Sequence, residues 1–182
     1  MRKLLSLTVM AALVLGVATS ANALGIKKGV KLGVGTSSFD LPDGTPEPDD
    51  YSPFAIGGAL VLELPVITVE ADLMYRSFNS DETRLGIPVL AKVGLLPLPL
   101  VNLSLGAGLE PRWALSTEAP DGTTEDMVWY LPVALEGSFD LQVVKVGAEI
   151  RYEYQLTNET KSDFGGDDIR HHQLMFYGGV FF

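Results

Sequence analysis

The chain of 182 residues contains no cysteine and only two histidines. Without cysteine it can form no disulfide framework and can supply no thiolate for chemistry. Because His171 and His172 are the only imidazoles, any histidine-based acid or base must come from this one position in the chain. The sequence therefore leaves very few routes to nucleophilic or acid–base catalysis.

Basic residues are also scarce, with 13 against 23 acidic residues, a net charge of −10 and a pI near 4.5. Such a chain repels phosphate, so we expect no nucleic-acid partner. Paired acids could offer oxygen ligands to Mg²⁺ or Ca²⁺, but EF-hand spacing is lacking and solvated acidic loops are ordinary. The sequence therefore predicts no metal site and no cofactor, although divalent cations could bridge lipopolysaccharide phosphates to three acidic pairs, Asp49-Asp50, Glu125-Asp126 and Asp167-Asp168.

Long apolar runs are lacking after the N-terminal region. Arg2 and Lys3 precede an apolar run at residues 4–17, and Ala21-Asn22-Ala23 has the small-x-small form of a signal-peptidase site. The run is shorter than the roughly 20 residues that a spanning helix needs. We therefore interpret residues 1–23 as a signal peptide and residues 24–182 as one domain, which can cross a membrane only with strands.

Apolar and polar residues alternate with a period of two in eight segments, the pattern of strands with one apolar face. The alternation is clearest where Ile67, Val69 and Leu73 oppose Glu70 and Asp72. The segments are residues 26–35, 54–64, 67–76, 85–95, 101–112, 127–137, 144–154 and 171–182. This pattern, with 19 glycines and 11 prolines for the turns, predicts an all-β fold, an eight-stranded antiparallel up-and-down transmembrane β-barrel.

The connections between these segments alternate in length. The long ones are residues 36–53, 79–84, 117–126 and 157–170, and the short ones are residues 65–66, 96–100 and 137–140. In membrane barrels of this kind, short turns face the periplasm and long loops face outward. The long connections hold fifteen acidic and three basic residues, whereas the rest of residues 24–182 holds eight of each sign. We therefore expect acidic extracellular loops on a barrel whose own charges balance.

The charged residues on the inward faces of these strands are the candidate site. Because unpaired buried ions are costly, their neutral balance predicts that they pair across a narrow lumen. The predicted lumen network consists of Glu63, Glu70, Asp72, Arg76, Lys92, Glu110, Arg112, Glu136, Lys145, Glu149, Arg151 and Glu153.

Aromatic residues occupy outward positions near the strand ends, where an amphipathic ring suits the boundary between lipid and water. The predicted interface aromatics are Tyr75, Trp113, Trp129, Tyr152 and Tyr154 near the long connections and Phe182 near the periplasmic edge.

The C-terminal segment, Gln173-Leu174-Met175-Phe176-Tyr177-Gly178-Gly179-Val180-Phe181-Phe182, alternates and ends on an aromatic residue. With the signal peptide, the strand rhythm and the loop alternation, it makes the chain resemble the small eight-stranded outer-membrane barrels of the OmpA and OmpX type, often labelled porin-like. The resemblance implies residence in the outer membrane of a Gram-negative bacterium, contact with outer-membrane lipid and lipopolysaccharide, and recognition of the last strand by the barrel-assembly machinery.

Enzymes occur among barrels of this size, including lipid A deacylases and palmitoyltransferases. Nucleophile activation needs a base within hydrogen-bonding reach of a hydroxyl group. Ser162, Asp167 and Asp168 lie near the two histidines in sequence, but the His-x-Ser strand motif of the deacylases is lacking. We therefore expect a non-enzymatic protein.

Two other functional alternatives remain at this stage. A soluble periplasmic barrel of the lipocalin kind would enclose the apolar faces and hold a small ligand. A narrow channel for ions or small solutes would need gaps beside the lumen glycines, since eight strands leave an interior just filled by side chains. Our interpretation is a membrane barrel that contributes to envelope integrity or surface interaction through its acidic loops.

Overall fold

The computed structural model describes residues 25–40, 52–78, 82–97, 101–116, 126–141, 143–157 and 170–182. These residues form the strands β1 (Ile26–Asp40), β2 (Phe54–Glu63), β3 (Ile67–Ser77), β4 (Thr83–Gly86), β5 (Val89–Pro97), β6 (Val101–Ser116), β7 (Met127–Asp140), β8 (Lys145–Gln155) and β9 (Arg170–Phe181). The predicted signal peptide and most residues of the long connections lie outside the described residues. The described part of the chain contains no helix long and apolar enough to cross a membrane.

The nine strands occupy eight positions in a closed antiparallel barrel, because β4 and β5 both lie between β3 and β6. The two are separated at Ile87 and Pro88, where proline has no N–H to donate. Asp72 N–H donates to the Pro88 carbonyl at 2.9 Å and Ile87 N–H donates to the Pro111 carbonyl at 3.0 Å, so both neighbouring ladders continue past the break. Pairing of β1 with β9 closes the barrel. The predicted fold class is confirmed.

Several strand ends differ from the predicted ones. β1 continues to Asp40, and β7 continues through residues 137–140, which were predicted to form a turn. Gly137-Ser138-Phe139-Asp140 has turn-like composition, but Ser138 pairs with Asn102 and Phe139 pairs with Val101. Ladder pairing therefore outweighs local turn preference here, and the turn follows Asp140, with Leu141 N–H donating to the Val144 carbonyl at 2.8 Å.

The two faces of the barrel wall have opposite chemistry. Outward positions carry exposed aliphatic side chains, such as Leu32, Val133 and Ile150, at 51%, 40% and 46% exposure. Inward positions bury ions, such as Arg76 and Glu153, at 1% and 0% exposure. A band of exposed apolar side chains around a charged interior suits lipid rather than water. This is the reverse of the arrangement that the soluble ligand-binding alternative requires.

Candidate functional site: the charged lumen

The predicted lumen residues lie on the inner wall of the barrel, and ten of the twelve are buried. The other two are at the end of the barrel near the short turns, where the side chains of Lys145 and Glu63 are 13% and 37% exposed. The structure divides the buried ions into two clusters. The lower cluster, nearer the short turns, contains Lys31, Glu70, Asp72, Lys92, Glu136, Glu149 and Arg151, and the upper cluster contains Arg76, Glu110, Arg112 and Glu153.

Lys92 binds carboxylates of the lower cluster from three different strands. From β5, its ammonium group donates to Glu70 of β3 at 3.0 Å, to Glu136 of β7 at 2.5 Å and to Glu149 of β8 at 2.6 Å. An ammonium group has three N–H donors, so these bonds use its full capacity. The Lys92 charge therefore lies between carboxylates from three strands.

Lys31 of β1 is the second cation of the lower cluster and was not among the predicted members. Its ammonium group lies 2.7 Å from Glu70, 3.2 Å from Glu149 and 3.5 Å from Asp72. The alternation places Lys31 on the inward face, but alternation alone does not define its partners. These partners come from β3 and β8, which only the closed barrel brings to β1.

Arg151 completes the lower cluster from β8. Its guanidinium group pairs with Glu149 at 2.5 Å and with Asp72 at 3.2 Å. The cluster thus contains three cations and four carboxylates, and Lys145 lies 3.8 Å from one of these, Glu136. Charges of both signs are therefore matched closely, as deep burial of ions requires.

The upper cluster is a closed ring of alternating charges. Arg76 pairs with Glu110 and with Glu153, both at 2.9 Å. Arg112 pairs with the same two carboxylates, at 2.8 Å for Glu110. Arg112 also donates to the side-chain oxygen of Gln173 at 2.9 Å. Two arginines and two glutamates therefore neutralise each other, and planar guanidinium groups suit this double pairing.

Tyr177 of β9 connects the two clusters. Its hydroxyl donates to Glu153 of the upper cluster at 3.2 Å. Its ring centroid lies 4.7 Å from the guanidinium carbon of Arg151 and 5.3 Å from the ammonium nitrogen of Lys31, both in the lower cluster. Cations near an aromatic ring at these distances are attracted by its quadrupole. One uncharged residue therefore contacts both layers of ions.

Side chains fill the lumen beside Tyr177. The gap that Lys31, Glu149 and Phe181 form with Tyr177 is too small to hold a water molecule. An open aqueous path needs water-sized space along its length, so the lumen is closed at this level.

Ion pairs also cross the end of the lumen near the short turns. Lys27 of β1 lies 3.0 Å from Asp140 of β7 and 3.1 Å from Glu63 of β2, and Lys145 lies 3.4 Å from the same Glu63. The outward residue next to Lys27 is the charged Lys28, so this level lies at the edge of the apolar band. Partial burial disfavours the charged form of Lys27, but hydrogen bonds to Asp140 and Glu63 outweigh this effect and raise its pKa above the ordinary value.

Three carboxylates of the lower cluster, Glu70, Glu136 and Glu149, have oxygens within 4.8 Å of one another, a spacing that could hold a metal ion. Lys92 donates to all three, so its ammonium group already provides the positive charge at this position. The three acidic pairs considered from the sequence as cation ligands do not bear on this group, since all but Asp126 lie outside the described residues.

The two histidines lie on opposite faces of β9. His171 points inward, where its Nδ1 atom lies 3.3 Å from the Tyr130 hydroxyl and its ring lies 5.8 Å from that of Phe78. His172 points outward and stacks on Tyr152, with ring centroids 6.1 Å apart, and its centroid lies 4.8 Å from that of the tilted Tyr154 ring. Ser162, Asp167 and Asp168, the other members of the catalytic alternative, lie outside the described residues.

The predicted interface aromatics all occupy outward positions in the described strands or at the C-terminus. Trp113 and Trp129 lie close together, because Trp113 pairs with Met127 and Trp129 pairs with Pro111 in the β6–β7 ladder. Phe182, 62% exposed, lies at the other end of the barrel. Tyr75, Tyr152 and Tyr154 complete the set near the long connections, on β3 and β8.

Comparison with solved structures finds three bacterial proteins among those similar to this chain. Neisserial surface protein A (NspA) matches with a TM-score of 0.63 and 16% identity, over 86% of this chain and 96% of that chain. The attachment invasion locus protein Ail of Yersinia pestis matches at 0.44 and 19%, over 86% and 98%. The outer-membrane protease OmpT of Escherichia coli matches at 0.40 and 13%, over 91% and 99%. No protein-family model and no curated protein matches the chain.

The likeness to NspA agrees with the apolar outer band and the charged lumen. Together these observations define the class of this protein as a transmembrane β-barrel of eight strand positions.

Proposed function

We propose that this protein is a closed, non-enzymatic barrel in the outer membrane of a Gram-negative bacterium, contributing to envelope integrity or surface interaction through its acidic extracellular loops. The observation that carries the proposal is the filled lumen. Its two ion clusters pair charges from opposite walls, and the gap beside Tyr177 has no room for water. A barrel closed in this way anchors its loops and does not transport solutes.

In this proposal the acidic loops contact lipopolysaccharide through divalent cations, and this contact serves envelope integrity. Among the side chains that the structure describes, the only outward lysine is Lys28, which lies near the short turns. The long connections are strongly acidic. Lipopolysaccharide phosphates and acidic loops repel each other unless hard cations such as Mg²⁺ or Ca²⁺ lie between them.

Two further features support the proposal. The contacts of His171 with Tyr130 and Phe78 place it inside the barrel, away from the lipid-facing rim where an enzyme acting on lipid would need its base. The alternation of apolar residues on the outward face of β9 supports recognition of this strand by the barrel-assembly machinery during insertion.

Cell fractionation and gel mobility test the location. We expect the protein in the outer-membrane fraction, with faster migration before boiling than after it, since a closed barrel resists unfolding in detergent. Recovery in the soluble periplasmic fraction would refute the membrane assignment.

Planar-bilayer recording tests closure of the lumen. Verified insertion of the full protein should give no discrete conductance steps. Stable steps from the wild-type protein would instead support the narrow-channel alternative.

Loop substitutions test the surface role. Replacing Asp49, Asp50, Asp167 and Asp168 with asparagine should leave the gel shift unchanged but should weaken Mg²⁺-dependent binding to lipopolysaccharide vesicles. The matched control replaces the rim acid Asp140 with asparagine. Equal binding by both variants and the wild type would refute a role for the loop charges.

A further inference from the structure

The seam between the first and last strands, which we call the closing seam, has an ordered size pattern on its inner face. In the β1–β9 ladder, Gly29 lies opposite Phe181, Gly33 lies opposite Tyr177, and Gly35 lies opposite Met175. At the intervening inward position the order reverses, since Lys31 lies opposite Gly179. A large side chain therefore faces a glycine at four successive inward positions.

These glycines are required by close contact. A Cβ atom on Gly29 or Gly33 would overlap the rings of Phe181 or Tyr177, and one on Gly35 would lie 2.5 Å from the Met175 sulfur. A Cβ atom on Gly179 would lie 2.9 Å from the Phe181 ring and 3.2 Å from Lys31 Cγ. In a close-packed interior such overlaps force neighbouring groups to move.

The Tyr177 ring cannot move aside without breaking other interactions. Its hydroxyl bonds to Glu153 at 3.2 Å, and the Arg151 guanidinium carbon lies 4.7 Å from its centroid. Phe181 is similarly confined, 3% exposed and packed with Ala59 and Val61. The space over Gly29 and Gly33 is therefore occupied by rings held from several sides.

The pattern is satisfied in one register only. Slipping β9 by two residues in one direction pairs Gly29 with Gly179 and Lys31 with Tyr177. Slipping it in the other direction pairs Gly33 with Gly179 and Lys31 with Phe181. Either slip leaves a glycine pair with a void and places Lys31 directly opposite an aromatic residue instead of a glycine. A slip of one residue exchanges the inner and outer faces.

We propose that these alternating glycine and large residues form a register lock that selects the closing register of the barrel. Register is otherwise weakly specified at glycine-rich strands. The β1–β9 ladder is the longest among the described residues, with twelve pairs from Gly29–Phe181 to Asp40–Arg170. Other described ladders contain fewer such contacts, for example Gly57 with Met74 and Gly106 with Lys92. Neither of these involves an aromatic ring, whereas two contacts of the closing seam do, Gly29 with Phe181 and Gly33 with Tyr177.

Disulfide trapping tests the lock, because the chain has no cysteine of its own. The outward pair Val34 and Phe176 reports the native register, and Val34 with Leu174 or Gly178 reports a slip of two residues. Directly opposed residues of an antiparallel ladder have Cα atoms about 4.5–5.5 Å apart, and diagonal neighbours are about 7–8 Å apart. A disulfide joins Cα atoms about 4.4–6.8 Å apart, so cysteines introduced at these positions distinguish the registers.

In an otherwise native chain we expect cross-linking of Val34→Cys with Phe176→Cys only. Tyr177→Gly should lower this yield about tenfold and raise the yield of a slipped pair, because the ring that distinguishes the registers is gone. Gly33→Tyr should prevent closure, and the exchange variant Gly33→Tyr with Tyr177→Gly should restore the heat-dependent gel shift of the full protein.

The matched control is Gly178→Ala on the outward face of the same seam, where an added Cβ meets nothing within 4 Å. It should leave the native cross-link and the gel shift unchanged. The proposal is overturned if Tyr177→Gly keeps the native cross-link alone at wild-type yield, or if the exchange variant folds no better than Gly33→Tyr. These readouts measure strand pairing and are independent of whether the lumen conducts.

Discussion

Arg76 and Glu153 meet at 2.9 Å in the lumen although their strands, β3 and β8, lie on opposite sides of the barrel, four positions apart. Both side chains are almost completely buried. This contact crosses the full width of the lumen, so it joins walls that share no backbone hydrogen bonds. The ion network therefore acts as an internal brace in addition to filling the interior.

Removing one member of this pair should destabilise the barrel strongly. Arg76→Met removes one of the two arginines that neutralise the buried carboxylates of Glu110 and Glu153. Loss of one partner from a buried ion pair typically costs about 3–5 kcal/mol. Urea unfolding in detergent micelles, followed by the gel shift, measures the free energy of unfolding. The double variant Arg76→Met with Glu153→Leu should lose less than Arg76→Met alone, because it leaves fewer unpaired charges.

The matched control for this prediction is Lys27→Met, which removes a partly exposed cation at the rim. Its effect should be much smaller, since exposed ion pairs contribute about 0–1 kcal/mol. Equal losses for Arg76→Met and Lys27→Met would contradict the bracing role of the buried pair.

Replacing Lys92 should create a site for a divalent cation. Lys92→Ala removes the ammonium group shared by Glu70, Glu136 and Glu149, whose oxygens lie within 4.8 Å of one another. Carboxylate clusters of this kind suit Mg²⁺ and Ca²⁺. We expect the urea midpoint of Lys92→Ala to rise on addition of Ca²⁺, whereas that of the wild type stays constant.

The control variant for the cation experiment is Lys145→Ala, which lies 3.8 Å from Glu136 and leaves Lys92 in place. Its midpoint should not respond to Ca²⁺. A response of the same size in all three proteins would indicate binding elsewhere, for example to the acidic loops, and would refute the prediction.

The ion pairs of Lys27 with Asp140 and Glu63 at the rim of the barrel should make the free energy of unfolding depend on pH in the alkaline range. The pKa of Lys27 is raised in the folded barrel, because hydrogen bonds to Asp140 and Glu63 outweigh partial burial. A base whose pKa is higher in the folded state than in the unfolded state stabilises the fold. This stabilisation is complete at pH values below the unfolded pKa, about 10.4, and is lost as the pH rises through the folded pKa. The difference in unfolding free energy between wild type and Lys27→Met should therefore be constant below about pH 9 and should shrink above about pH 10.

Lys28→Met provides the comparison for this titration, because Lys28 is the outward neighbour of Lys27. The pH profile of Lys28→Met should retain the alkaline loss seen in the wild type. If Lys27→Met retains it as well, the rim pairs are not its cause.

Tryptophan fluorescence should place the upper edge of the apolar band. Trp113 and Trp129 are the only tryptophans, and both lie outward near the long connections. Indole rings favour the lipid headgroup boundary. Lipids brominated near the headgroup should therefore quench this fluorescence more than lipids brominated near the acyl terminus. The single variants Trp113→Phe and Trp129→Phe should each show this order, and the opposite order would contradict the predicted interface.

The sequence by itself determined which residues face the lumen and which face lipid. A strand alternates with a period of two, so the faces of residues such as Glu70, Asp72, Val69 and Leu73 follow from position alone. It also determined the number of strand positions, because each alternating segment is bounded by turn-forming residues. Segment ends were less certain, as the continuation of β7 to Asp140 shows, because ladder partners decide where a strand stops.

Only the tertiary structure decided which ions meet and how the barrel closes. Lys31 and Glu149 are 118 residues apart in the chain but 3.2 Å apart in the lumen. Their contact depends on the register of every intervening strand and on the seam at which Gly33 receives Tyr177. Alternation gives each residue a side but no partner, since pairing across a lumen is set by strand register, tilt and closure, which depend on contacts between distant segments.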